Sequence, residues 1–304
     1  MQASITMMQR MIVGVMLMLA AIGVAAPGSF ATAQTAIECV ASPSGGSGNP
    51  AATPATASAS QAVFPESGEL TVFAAASLTD AFAQIGDDIM AANPDIDITF
   101  NFAGSQTLVT QLTQGAPADV FAAANDAQMQ AAIGEGVVAG EPQTFTRNRL
   151  AIVVPADNPA NLAGPADLAR DDLRLVLALP EVPVGLYSRE AICDMAEDTS
   201  AYGEGFVEQV GANIVSQEED VRVVVTKVQL GEADAGMVYV SDITADVAGD
   251  VEIIEVPDDV NVIATYPIAP VGDGDAALAG AFIAYVLGPE GQATLEDYGF
   301  TVLP

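Results

Sequence analysis

The sequence predicts a two-lobed α/β protein in which each lobe is a mostly parallel sheet flanked by helices. From Glu69 onward, short apolar runs of strand length alternate with amphipathic stretches of helix length. This alternation changes near Thr144, where one long apolar stretch is followed by a second α/β series. A chain of 304 residues that is 51% hydrophobic is large enough to bury the cores of two such lobes.

The first 33 residues have the organisation of a signal peptide. Residues 11–26 form an unbroken apolar run, which is short for a membrane span and typical of the hydrophobic region of a signal peptide. The small residues at 31–33 fit a cleavage site before Gln34. An uncleaved membrane anchor is the alternative interpretation. We therefore expect an exported protein, located in the periplasm or on the outer face of the cytoplasmic membrane.

Residues 34–67 are predicted to form a flexible, neutral linker. Between Cys39 and Pro65 the chain is rich in Gly, Ser, Pro, Ala and Thr and carries no charged side chain. The two cysteines of the sequence are Cys39 and Cys193. In an exported chain they either form a disulfide with each other or stay unpaired, and the sequence leaves both options open.

Charge and composition exclude several classes of function. A net charge of −32 repels nucleic acid and anionic lipid, so neither is an expected partner. The chain has no histidine, which removes histidine-based catalytic triads and most zinc sites. It also lacks the GxxxxGK[ST] and GxSxG motifs. An exported enzyme that uses paired carboxylates, such as Asp80 and Asp119 near predicted strand ends, remains an alternative.

The first lobe is predicted to comprise residues 68–148 and 266–304. Its opening part alternates buried strands with helices, and this rhythm implies a parallel sheet. The predicted strands are 70–76, 95–104 and 118–124, and the predicted helices are 78–93, 105–115 and 126–136, the last capped by Asp126. Two closing helices, 275–288 and 290–299, complete the lobe.

The second lobe is predicted to comprise residues 149–265. A long strand at 144–155 crosses into it, and segment 265–271 leads back, so that two crossings form a hinge. Between the crossings, the apolar runs predict strands at 173–180, 234–240 and 251–257, and helices at 188–198 and 220–232.

Small hydroxyl side chains lie at two strand-to-helix junctions of the predicted first sheet. Ser77 follows three alanines, and Ser105 follows Gly104; Val221 begins another helix, after Asp220. In open α/β sheets, ligands bind beyond the carboxyl ends of the strands, where the first helical N–H groups lack intrahelical partners and favour anions. Each serine alone is explained by a helix N-cap. Two such serines on one sheet indicate an anion site that contains no cation.

The chain from about Leu70 to Pro304 resembles the periplasmic molybdate-binding proteins of ABC importers, which also take tungstate. Five motifs carry this resemblance in order along the chain. They are VFAAASLTDAF, FAGSQTLVTQLTQGAPADVFAAA, VPVGLYSREA, DVRVVVTKVQLGEADAGMVYVSD and FIAYVLGPEGQATLEDYGF.

The resemblance implies a periplasmic-binding-protein fold that closes its two lobes on molybdate or tungstate. It assigns hydroxyl and amide donors to Ser77 and Ser105, amide donors to Val184 and Val221, and a phenol donor to Tyr239. It further implies a monomer without enzymatic activity or cofactor. The implied partners are a membrane permease with its cytoplasmic ATPase.

Three alternatives stay open. The first is a receptor of the same fold for another anion, such as sulfate, phosphate or a small organic acid. The second is the carboxylate-dependent exported enzyme, and the third is an envelope protein that binds no ligand.

Overall fold

The computed structural model describes residues 36–39 and 62–303. The predicted signal peptide at 1–33 and most of the predicted linker at 34–67 lie outside these residues. Within the described ranges, no helix is both long and apolar enough to cross a membrane. The described chain is a mixed α/β structure, as the alternating pattern predicts.

Nine strands make up the sheet of the described chain, in the order β2-β1-β3-β9-β4-β7-β5-β6, with β8 paired to β4. Strands β1, β2 and β3 are mutually parallel, as are β6, β5 and β7 in the other half. The strands are β1 (Gly68–Ala75), β2 (Ile96–Ala103), β3 (Val120–Ala122), β4 (Gln143–Pro155), β5 (Leu175–Ala178), β6 (Ile214–Glu218), β7 (Ala235–Tyr239), β8 (Val251–Glu255) and β9 (Ile263–Pro270).

Strand β4 is long enough to belong to both halves of the sheet. Its residues up to Arg149 pair antiparallel with β9, and from Leu150 onward it pairs antiparallel with β7 and β8. We call the elements on the β1–β3 and β9 side the first lobe, and those on the β5–β8 side the second lobe. The sequence predicts that the chain re-enters the first lobe at residue 266. Strand β9 already begins at Ile263 and lies wholly in the first lobe, so the predicted limit falls inside this strand. The lobe limits stay a prediction.

Most of the helices pack on the faces of the two half-sheets through an apolar side. In the first lobe, Phe82 of α1 packs against Phe145 and Phe282, with ring centroids 5.7 Å apart in both pairs. The helices are α1 (Thr79–Ala92), α2 (Ser105–Thr113), α3 (Asp126–Gly134), α4 (Pro183–Ala196), α5 (Thr199–Tyr202), α6 (Phe206–Asn213), α7 (Val221–Gln229), α8 (Ala276–Leu287) and α9 (Pro289–Asp297).

Local sequence explains most of these elements. One helix cap differs from the prediction. Helix α7 forms despite its valines because Val221, Val224, Val225 and Val228 recur at helical spacing and are buried. The prediction that Asp126 caps α3 is wrong: Asn125 adopts the extended N-cap conformation, and its side chain accepts from the Gln128 amide at 2.9 Å.

A disulfide joins Cys39 to Cys193 on α4 of the second lobe, with Cα atoms 5.6 Å apart. It holds residues 36–39 against this lobe, where the side chain of Ile37 is buried. Of the two options that the sequence leaves open for the cysteines, the structure therefore adopts the paired one.

Candidate functional site

Four helical N-termini meet at one cavity between the lobes. They belong to a short 3₁₀ turn before α1 (Ala76–Leu78), to α2, to α4 and to α7. The first two lie in the first lobe and the last two in the second. The cavity is lined by Ala75, Ala76, Ser77, Gly104, Ser105, Ala124, Val182, Pro183, Val184, Asp220, Val221 and Tyr239.

The cavity is small and admits only a compact guest. Within it, the centre of a water molecule can occupy a volume of only ≈ 10 Å³. Direct contacts between the lobes enclose it. Gln106 Nε2 of α2 donates to the Glu219 carbonyl oxygen at 2.9 Å, and Gln128 Nε2 of α3 donates to the Glu181 carbonyl oxygen at 3.1 Å. The structure therefore describes the lobes in a closed arrangement.

Backbone amides from both lobes lie at the cavity wall. Ser105 and Val221 are the first residues of α2 and α7, and Val184 and Ser77 are the second residues of their turns. N–H groups in these positions have no carbonyl partner within their own helix. Among the described residues, no side chain caps the 3₁₀ turn, α2 or α4. These amides are therefore available to an acceptor in the cavity, and the helix dipoles favour a negative one.

The two serine hydroxyls are buried, and each has one hydrogen-bond partner in the protein. Ser105 Oγ accepts a hydrogen bond from the Ala124 amide at 3.0 Å. Ser77 Oγ lies 2.9 Å from the hydroxyl of Tyr266. Because the Ser105 oxygen is already an acceptor, its own proton is left to donate. Neither serine side chain bonds the first-turn amides of its helix, so a helix N-cap does not account for them.

Tyr239 brings a phenol from the second lobe to the same cavity. Its side chain is 1% exposed, and its hydroxyl oxygen has no hydrogen-bond partner among the described residues. Burial raises its pKa well above the ordinary value, so the phenol keeps its proton and is a donor. A buried polar group without a partner costs free energy, so an acceptor in the cavity that pairs with this hydroxyl would be favoured.

No lysine or arginine lines the described part of the cavity, and one oxygen of its one carboxylate, Asp220, serves as a helix cap. Asp220 Oδ1 accepts from the Val223 amide at 3.1 Å and caps α7. Arg222 pairs with Asp80 across the lobes. Arg149 pairs with Asp258 at the exposed surface. The hydrogen-bond donors that line the cavity are therefore amide and hydroxyl groups rather than charged side chains.

The structure brings all five sequence-predicted site residues, Ser77, Ser105, Val184, Val221 and Tyr239, to this cavity. It does not bring together the acids of the alternative enzyme. Asp80 pairs with Arg222. Asp119 accepts from the amides of Thr71 on β1 and of Asp275 before α8, at 2.7 and 2.6 Å. Within the described ranges, no cluster of acids and cysteines is arranged to hold a metal ion.

Sequence reasoning missed two residues, Tyr266 and Asn148, which lie behind the residues that line the cavity. Both are fully buried, and Tyr266 touches Ser77. Asn148 stands between Arg147 and Arg149 in the sequence, so nothing there marks it as a buried polar group. Tyr266 gives no signal in its sequence surroundings either.

Comparisons with known proteins place this site in context. Residues 70–301 match the family model described as "Bacterial extracellular solute-binding protein". The "Molybdate-binding protein ModA" of Mycobacterium tuberculosis is 41% identical over 258 residues, which cover 84% of this chain and 90% of that protein.

Two solved structures share the architecture. The substrate-binding domain of a putative molybdenum ABC transporter from Clostridium difficile is 26% identical, with a TM-score of 0.57, over 78% of this chain and 99% of that chain. The sulfate-binding protein SubI from Mycobacterium tuberculosis has a TM-score of 0.69 at 17% identity, over 77% of this chain and 87% of that chain. The second likeness concerns the fold alone.

Proposed function

The chain belongs to the family of bacterial extracellular solute-binding proteins, and from this premise we propose that it captures molybdate or tungstate between its lobes. In this proposal it works outside the cytoplasmic membrane and delivers the anion to a permease with a cytoplasmic ATPase. The oxyanion is cargo, and the protein is a receptor rather than an enzyme. The similarity to molybdate-binding relatives over most of the chain supports this assignment.

The observation that carries the proposal is the convergence of neutral donors from both lobes on one small cavity. The hydroxyls of Ser77, Ser105 and Tyr239 are hydrogen-bond donors. The backbone amides of both serines, Val184 and Val221 are further donors. Each hydrogen bond to a charged group contributes about 1.5–3 kcal/mol, so several of them replace the hydration shell of a dianion. Donors that come from both lobes also favour the closed arrangement.

The acidic surface of the protein does not prevent this binding. Exposed charges are screened over about 8 Å at physiological ionic strength. The donors act at hydrogen-bond distance inside a small cavity between the lobes, where their dipoles are screened far less than at the surface. The negative far field slows the approach of an anion, and we therefore expect association to become faster as salt is added.

Selectivity follows from the hydroxyl and amide donors and from the size of the cavity. A fully deprotonated tetrahedral anion satisfies these donors, whereas the hydroxyl of hydrogen phosphate pairs with none of them and would need Asp220 as its acceptor. Sulfate carries no proton and is excluded only by size, because a smaller anion leaves donors unpaired. A receptor for sulfate is accordingly the main competing function.

Calorimetric titration of the purified protein with molybdate, tungstate, sulfate and phosphate tests the proposal. We expect tight binding of molybdate or tungstate with 1:1 stoichiometry, and binding of sulfate and phosphate at least about a hundredfold weaker. The double variant Ser77→Ala/Ser105→Ala should lose this binding, while Ser200→Ala, at an exposed position on α5, should retain it. Sulfate binding as tight as that of molybdate would reject the proposed selectivity for molybdate.

A further inference from the structure

We propose that Tyr266 is a positioning residue that orients the Ser77 hydroxyl so that it can only donate to the guest. This inference rests on the proposed function and names a residue behind the cavity as a determinant of its selectivity. Tyr266 lies on β9 of the first lobe, 189 residues from Ser77 in sequence, and does not line the cavity itself.

Tyr266 is held in place on all sides. Its side chain is 0% exposed, and its ring packs edge-on against Phe145, Tyr239 and Phe300 at centroid distances of 6.2, 5.9 and 5.5 Å. The hydroxyl oxygen lies 2.9 Å from Ser77 Oγ, and geometry alone allows either oxygen to donate. A third residue decides the direction of this bond.

Asn148 of β4 is the residue that decides it. The Arg149 amide, which can only donate, is 2.9 Å from Asn148 Oδ1 and so fixes which end of the side-chain amide is oxygen. The other end, Nδ2, therefore faces the Tyr266 hydroxyl at 3.4 Å and donates to Ser241 Oγ at 2.7 Å. Because Nδ2 can only donate, the Tyr266 oxygen is an acceptor toward Asn148.

The direction of the remaining bond is the inferred step. With its oxygen accepting from Asn148, the Tyr266 hydroxyl has its own proton to give, and in this proposal Ser77 Oγ at 2.9 Å receives it, so that the Ser77 proton turns to the cavity. Burial and the nearby Asp242 raise the pKa of Tyr266, which keeps the phenol protonated. In the reverse direction, Ser77 would present a lone pair to the guest and would accept a proton from hydrogen phosphate. The relay Asn148–Tyr266–Ser77 thus prevents Ser77 from accepting the proton of a protonated oxyanion.

The test is the variant Tyr266→Phe, which keeps the packed ring and removes the hydroxyl. Calorimetry should show molybdate affinity lower by about fivefold to twentyfold, because the Ser77 hydroxyl is no longer oriented. The ratio of phosphate to molybdate dissociation constants should fall as well, since Ser77 is then free to accept. Tyr285→Phe, a half-buried tyrosine on α8 remote from the cavity, is the matched control and should change neither value.

A double-mutant cycle separates orientation from general loosening of the structure. In a Ser77→Ala background, Tyr266→Phe should have no further effect on molybdate affinity, because the group that it orients is gone. An equal loss in both backgrounds, or an unchanged phosphate-to-molybdate ratio, would overturn the inference while leaving the proposed function intact. If the unmodified protein binds none of the oxyanions, the proposed function fails and the inference fails with it.

Discussion

Arg222 of the second lobe forms an ion pair with Asp80 of the first lobe, directly beside the candidate site. Arg222 follows the cavity residue Val221, and its Nε also donates to the Ala76 carbonyl oxygen at 3.3 Å. In the described chain, every lysine and arginine lies within the segment from Arg147 to Lys227. The parts of the first lobe outside this segment therefore contain no positively charged side chain. The pair therefore joins two acidic lobes in the closed arrangement.

Replacing Arg222 by Gln is expected to weaken molybdate binding by about fivefold, mainly through faster release. The pair is partly exposed, with 26% and 31% of the two side chains accessible, and such pairs contribute up to about 1 kcal/mol. Stopped-flow release measurements and calorimetry check this. Arg174→Gln breaks an ion pair with Asp234 wholly inside the second lobe and should leave affinity unchanged.

Asp80→Asn distinguishes a clasp between the lobes from simple attraction of the anion. If Arg222 acts by closing the lobes, Asp80→Asn lowers affinity just as Arg222→Gln does. Tighter binding in Asp80→Asn would instead mean that Asp80 weakens a direct attraction between Arg222 and the guest, and the clasp would be rejected.

Gly104→Ala is expected to obstruct closure without harming the fold of the first lobe. The backbone of Gly104 has φ −56°, which alanine adopts readily. An added Cβ would lie 2.4 Å from the Glu219 carbonyl oxygen, which belongs to the other lobe. We expect molybdate affinity to fall more than about tenfold, with the melting temperature of the ligand-free protein unchanged within about 2 °C. Gly280→Ala on α8, where a Cβ meets nothing within 4 Å, is the control and should retain full affinity.

Tyr239→Phe is expected to change stability and binding in opposite directions. The variant removes a buried hydroxyl that has no partner among the described residues, so the ligand-free protein should become more stable by about 1 kcal/mol. It also removes one donor to the anion, and affinity should fall about tenfold or more. Urea denaturation and calorimetry measure the two effects. A loss of stability together with unchanged affinity would place the hydroxyl outside the site.

Asp242 is expected to make stability depend on pH. It is fully buried and accepts from the Tyr239 amide at 2.8 Å, and Oδ1 has no partner among the described residues. Burial, chiefly, raises its pKa from 3.8 to about 7; Asp220 and Asp80 add to the rise and Arg222 opposes it. Between these values the folded state binds more protons than the unfolded state, so the free energy of unfolding should fall from about pH 4 to about pH 7 and then level off.

Asp242→Asn should remove this slope. One pKa unit corresponds to about 1.4 kcal/mol, so the difference between wild type and variant should grow by a few kcal/mol between pH 5 and pH 8. Urea denaturation at both pH values measures it, with Asp258→Asn, an exposed carboxylate, as the control. Parallel pH profiles for the wild type and Asp242→Asn would show that Asp242 does not titrate in this range.

Cys193→Ser is expected to destabilise the protein by about 2–5 kcal/mol while sparing the site. The disulfide closes a loop of 154 residues and holds the buried Ile37 against the second lobe. Cys193 lies nine residues beyond Val184 on α4, about 14 Å along the helix, so the amide of Val184 should keep its position. Thermal denaturation with and without molybdate checks both statements, and Cys39→Ser should give the same result.

Local patterns predicted much of the fold because they reflect burial directly. The alternation of strands and helices is confirmed, and the valine-rich α7 was predictable from its spacing. Strand β6 was missed because it is a short edge strand, half exposed, with polar residues at three of its five positions (Ile214–Glu218). The cap of α3 was assigned one residue late because Asn125 and Asp126 are both good capping residues.

The sequence by itself determined which backbone amides begin helices and where small hydroxyls sit beside them, since both depend on neighbours within a few residues. Only the tertiary structure decided that these groups face one another, that Tyr266 reaches Ser77 and that Arg222 reaches Asp80. These partners are separated by 189 and 142 residues. Contacts between such distant residues depend on how the two half-sheets come together. This packing produces no periodic pattern in the sequence.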